Sequence, residues 1–172
     1  MDGFISFSQL NDFLYSPLTL YLHECYTPFT TSLYHDTPQT AGKNVHETID
    51  NNKYKKKGWI TGMRLCSPAL GIYGKADLYN EKTGELVERK RLIKHIYDGY
   101  KMQVWGQYYA LQEMGYTVSA IYLHSLADNT RYSLGIAKDR DFQSLNKLLT
   151  RIRAYSPDFK TVTTIQNNSL QS

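Results

Sequence analysis

The chain has 172 residues, 41% of them hydrophobic and 21% charged, with a formal net charge of +4 and a pI near 8.9. That suffices for one domain with a buried core, and the mild positive balance admits a polyanionic partner without requiring one. No stretch approaches the ~18 apolar residues of a membrane span, no basic lead into a hydrophobic run follows Met1-Asp2-Gly3, and Cys25 and Cys66 are too few for a four-cysteine metal site, so a cytoplasmic protein with free thiols, no membrane contact and no signal peptide is expected.

Along the chain, Phe4–Glu24 predicts two short helices, the first capped by Ser8 and carrying Leu10, Phe13 and Leu14, the second opened by Ser16-Pro17. Thr37-Pro38 repeats the cap-plus-proline signal and predicts a helix to about Asn51, with Ala41, Val45 and Ile49 as its stripe and His46 beside it. Lys53–Lys57 reads as a solvated end. The period then changes to that of strands at Trp59–Leu65, Leu70–Tyr79 and Glu85–Lys90, the last two joined by a tight turn with Gly84 available for a left-handed backbone. Tyr97–Gly115 predicts a helix, Val118–Leu126 and Arg131–Ile136 an antiparallel pair of strands, and Asp139–Ala154 a last amphipathic helix with Phe142, Leu145, Leu148, Leu149 and Ile152. These elements define a mixed α/β domain over residues 1–155, built on a mostly antiparallel twisted sheet flanked by helices. Residues 156–172 form a polar tail, disordered or draped over the core.

The chemistry concentrates on the second and third strands. If Asn80 pairs with Glu85 across the turn, the same register sets Asp77 opposite Glu88, with Cβ atoms on the order of 5 Å apart. Two facing carboxylates repel each other unless a cation lies between them, and hard divalent ions prefer oxygen ligands. Lys90, two residues beyond Glu88, shares that face by the strand period. The Arg89 backbone carbonyl offers another oxygen, and His46 a further ligand from the earlier helix. Gln103 and Gln107, one helical turn apart, can reach the same cleft and contact a phosphate or base; Tyr100, Tyr108 and Tyr109 are candidates for stacking on a base. Taken singly, each residue also has an ordinary reading: Asp77 as a strand-end acid, Glu88-x-Lys90 as a solvated face, His46 as a half-buried helix residue. Ser16, His23 and His95 have no spacing suited to a hydrolase triad.

The series His46, Gly74-Lys75-Ala76-Asp77, Glu88-Arg89-Lys90 and Gln103-Val104-Trp105-Gly106-Gln107 resembles the RecB-like branch of the PD-(D/E)xK nucleases. Within that branch the chain is similar to the fourth CRISPR-associated (Cas) protein family. Ile5-Ser6-Phe7-Ser8-Gln9-Leu10, Leu14-Tyr15-Ser16-Pro17, Tyr21-Leu22-His23 and Leu111-Gln112-Glu113-Met114-Gly115 add to the likeness, which covers roughly residues 4–154.

The resemblance implies a restriction-endonuclease-like core. It makes His46, Asp77, Glu88 and the Arg89 carbonyl ligands of Mg²⁺ or Mn²⁺, with Lys90 as the catalytic lysine. It also implies cleavage of DNA at single-stranded ends or overhangs, trimming prespacers alongside the CRISPR integrase complex. Many members carry four cysteines around an iron–sulfur cluster; here Ser16 occupies the first place and Thr163–Ser172 contains no cysteine, so no cluster is expected. Two other functions share these residues. One is a weakly active or inactive DNA-binding subunit of the integrase complex; the other is a RecB-type nuclease of DNA repair or a mobile element.

Overall fold

Among residues 3–18, 20 and 58–156, which the computed structural model describes, the first two elements are β1 (Ile5–Ser6) and α1 (Phe7–Tyr15). Three strands follow, β2 (Trp59–Ser67), β3 (Ile72–Asn80) and β4 (Glu85–Lys90). Then come α2 (Asp98–Glu113), β5 (Ala120–Ser125), β6 (Thr130–Ser133) and α3 (Asp139–Ala154). The domain is mixed α/β. The helix expected over Thr37–Asn51, with His46, lies outside the described residues, as do Cys25, Lys53–Lys57 and the tail from Pro157. No helix among the described residues is long and apolar enough to cross a membrane.

Ser6, not Ser8, caps α1. Its hydroxyl accepts from the Gln9 N–H at 3.3 Å, and Gln9 Oε1 accepts from the Ser6 N–H at 2.6 Å. This reciprocal box needs a glutamine or glutamate three residues after the cap, which Ser6 has and Ser8 does not. The earlier start also frees Ile5–Ser6 to pair with β3 as a short parallel strand.

Strand β3 is the hub. β2 pairs antiparallel along one edge, while the other edge serves β1 at Ile72 and Tyr73 and β4 at Leu78–Asn80. β4 then pairs parallel with β5, and β6 closes the order antiparallel to β5. Three of the five pairings are antiparallel, so the sheet is mostly of that kind. Parallel neighbours need a long crossover, and α2 supplies it between β4 and β5.

Helix α2 lies against β2, β3 and α1. Close approach depends on glycine. A Cβ at Gly74, where φ is +151°, would stand 2.6 Å from Phe7 Cδ2, and one at Gly106 would stand 3.1 Å from both Phe7 Cδ1 and Leu10 Cδ1. Phe7, Leu10 and Phe13 of α1 are buried together with Val104, Ala110 and Leu111 of α2. α3 buries Leu145, Leu148, Leu149 and Ile152, with Asp139 and Asp141 in its first turn and Arg151 and Arg153 in its last, matching the helix dipole at both ends. Arg153 also donates to the Leu70 carbonyl at 2.6 Å, holding α3 to the β2–β3 turn.

Candidate functional site

The β3–β4 hairpin has the expected register. Asn80 pairs with Glu85, Tyr79 with Leu86 and Leu78 with Val87. The turn is held by Asn80 Oδ1, which accepts from the N–H groups of Lys82 and Thr83 at 2.9 and 3.2 Å, while Gly84 takes φ +70°. The expected direct ladder pair of Asp77 and Glu88 does not form, because the ladder ends at Leu78–Val87. Beyond that rung the strands part, and the Asp77 carboxylate spans the opening by accepting from the Arg89 N–H at 2.8 Å.

The β2 side breaks at the same point. Thr61 pairs with Leu78 and Met63 with Ala76, so the ladder skips Gly62 and Asp77, and Gly62 takes φ +64°. Asp77 thus occupies a local interruption on both edges of β3. The sequence reading missed this; the signal was a glycine inside a strand, which marks a bulge or a close approach.

Glu88 is buried, with a relative exposure of 3%, and has three donors. Lys90 Nζ and Gln103 Nε2 reach its Oε1 at 2.9 and 2.7 Å, and Gln107 Nε2 reaches its Oε2 at 2.8 Å. Gln103 Oε1 in turn accepts from Lys90 Nζ at 2.7 Å, and Gln107 Nε2 also lies 3.3 Å from the Lys75 carbonyl. The two glutamines therefore both bond to Glu88, Gln103 from a half-buried position and Gln107 from the interior. Helical spacing put them on one stripe, but Gln107 is fully buried and a buried amide takes a polar partner inside the protein. Tyr100 lies against Lys90, whose Nζ is 5.1 Å from its ring centroid.

Electrostatics follow from this crowding. Burial pushes the Asp77 carboxyl well above its ordinary range, to about 8, and the neighbouring Glu88 adds to the rise against the lowering effect of the Arg89 N–H. For Lys90, burial works to lower the pKa, but Glu88 beside it, then Asp77 and Tyr100, leave it raised overall. Its ammonium is therefore charged at neutral pH, suited to stabilising negative charge and unsuited to removing a proton.

A buried acid and a half-buried one forced together, the latter held protonated at neutral pH by desolvation and by its neighbour, form a donor set that a divalent cation would relieve. The two carboxylates fit a hard ion in that sense. Among the described residues no group of three or more His, Cys, Asp or Glu side chains is arranged to hold a metal, and His46 lies outside them.

The fold and site define a mixed α/β domain with two acids and a lysine where its central hairpin opens. No family model matches the chain, and no curated protein does. A solved structure does match: the crystal structure of SSO0001 superposes with a TM-score of 0.61 at 17% identity, covering 88% of this chain and 75% of that one. At that identity the likeness is one of fold.

Proposed function

We propose that the chain is a metal-dependent deoxyribonuclease that hydrolyses phosphodiester bonds at DNA ends. The observation that carries the reading is the meeting of Asp77, Glu88 and Lys90 at the opening of the β3–β4 hairpin, with Gln103 and Gln107 fixing Glu88 from α2. The sequence resemblance to the RecB-like branch and its fourth CRISPR-associated family supports the same reading, and extends it to prespacer trimming beside the integrase complex.

In this reading Asp77, Glu88, the Arg89 carbonyl and His46 hold Mg²⁺ or Mn²⁺. Such an ion lowers the pKa of bound water and neutralises charge gathering on a phosphodiester. Asp77 must lose its proton for that role, so binding of the ion and deprotonation are linked. Glu88 is kept in one orientation by its amide donors, which removes the entropy of a swinging carboxylate. Lys90 keeps its proton and offers a fixed positive charge to the phosphate oxygens.

A second reading draws on the same hydrogen bonds. Both oxygens of Glu88 are already engaged by Lys90, Gln103 and Gln107, an arrangement suited to a DNA-binding subunit of little activity. Cleavage of end-labelled single-stranded and overhang-bearing DNA with Mg²⁺, Mn²⁺ or EDTA, by wild type beside Lys90→Ala, separates the two. Metal-dependent products that vanish in the variant support the nuclease. Well-folded wild type that binds DNA and leaves it intact supports the subunit.

A further inference from the structure

The segment Arg91–Tyr97, which carries the chain from Lys90 into α2, has no part in the chemistry above. Its backbone is anchored. The carbonyls of Lys90 and Arg91 accept from Leu126 and Ala127, each at 2.9 Å, and the Ile93 N–H donates to Ser125 Oγ at 3.1 Å with Ile93 buried. Arg91, Leu92, Lys94, His95 and Tyr97 are nonetheless exposed, so these side chains project from a fixed support.

The aromatic groups form a row that ends at the candidate site. The rings of His95 and Tyr97 meet edge to face at 6.1 Å, and those of Tyr97 and Tyr100 at 5.7 Å. Tyr100 then lies against the Lys90 ammonium. Tyr97 is 56% exposed, and although it occupies the N-cap position of α2 its side chain makes no capping bond. Asp98, next to Tyr97 in the chain, is paired with Lys101 at 3.0 Å. The exposed Arg91 and Lys94 bring positive charge to the same segment.

We infer that this row is a seat for unpaired nucleotides, with Tyr97 as its principal stacking residue. Aromatic faces joined to positive charge match a single strand, whose bases offer free π-faces while its phosphates need neutralising. A base pair inside a duplex is stacked on both sides and has no face to give. The row therefore selects single-stranded DNA over blunt duplex and leads its end toward Lys90. What is done to that end rests on the proposed nuclease reading; the binding does not.

The test is binding of a labelled oligothymidylate and of a blunt duplex of equal length to the full chain in EDTA, so that cleavage plays no part. Tyr97→Ala is expected to weaken binding of the single strand roughly tenfold. Tyr97→Phe should restore it, and duplex binding should change little. Unchanged single-strand binding by Tyr97→Ala, or equal loss on both substrates, would overturn the inference, as would failure of folded wild type to bind the single strand at all. Lys90→Ala serves as the control for the nuclease reading. Loss of cleavage with intact binding supports both, whereas folded wild type that binds the single strand and leaves it intact with Mg²⁺ or Mn²⁺ sinks the nuclease reading and leaves the seat standing.

Discussion

The Asp77 carboxylate accepts from the Arg89 N–H at 2.8 Å, one step past the last rung of the β3–β4 ladder. An aspartate side chain here does what a backbone carbonyl does elsewhere in the sheet. It holds the hairpin at a fixed opening and brings an acid to Glu88.

Asp77 makes stability depend on pH. Its native pKa, about 8, lies above the ordinary value of 3.8, so the folded state binds more protons than the unfolded chain between those limits. The metal-free protein should therefore lose stability as pH rises from about 4 to about 8, with no further loss from this group above that. Lys90 acts in a different range: its raised pKa contributes stability below its ordinary 10.5 that is lost as pH climbs from there through the raised value. Urea unfolding in EDTA across pH 4–9 should show the first slope in wild type and a flatter profile in Asp77→Asn. Equal slopes would mean that Asp77 is ionised throughout.

On the proposed reading, a divalent ion would compete with Lys90 for the Glu88 carboxylate. Lys90→Ala is accordingly expected to abolish cleavage while binding Mn²⁺ more tightly than wild type does. Calorimetric titration measures the second effect without any activity. Weaker Mn²⁺ binding by the folded variant would show that the lysine helps to assemble the ion site.

Gln107 donates to Glu88 from the interior, and leucine in its place leaves Glu88 Oε2 without that donor. The loss should be about 1–3 kcal/mol, the usual cost of a stranded buried polar group. Chemical denaturation gives the number. On the proposed reading Gln107→Leu should also slow cleavage, because Glu88 is then held through Oε1 alone. A variant as stable as wild type would show that the amide is dispensable to the fold.

Gly74→Ala drives a methyl group into the Phe7 ring at a backbone angle that side chains rarely adopt. A loss of about 1–3 kcal/mol is expected from overpacking of this kind. At Gly106 the nearest neighbours stand 3.1 Å away, so alanine should cost less there. Thermal unfolding of the two variants ranks them, and the reverse order would show that Phe7 moves aside easily.

Much of the frame was legible because it rests on local signals. Asn80 with Gly84 defined the turn, and the turn set the register of Leu78, Tyr79 and Asn80 against their partners. The α3 stripe was equally clear except for Phe142, which is exposed, and the helix bounds matched residue for residue. The start of α1 was harder, since Ser6 and Ser8 both look like caps and only the reach of Gln9 separates them. Least legible was the inside of α2. It buries Gly99, Val104, Gly106, Gln107, Tyr108, Ala110 and Leu111, so polar and apolar residues share its hidden surface and spacing alone does not say which way a glutamine faces. The early close of the β3–β4 ladder was likewise hidden, because it follows from tertiary crowding around Asp77.

Phe7 has a consequence larger than its position near the start of the chain suggests. Its ring lies against Gly74, three residues before Asp77, and against Gly106, one residue before Gln107. A single side chain is thus the gauge block between the strand that carries one acid and the helix that orients the other. The closeness of that strand to that helix is set by the thickness of that ring, from a residue that is no part of the Asp77–Glu88–Lys90 cluster.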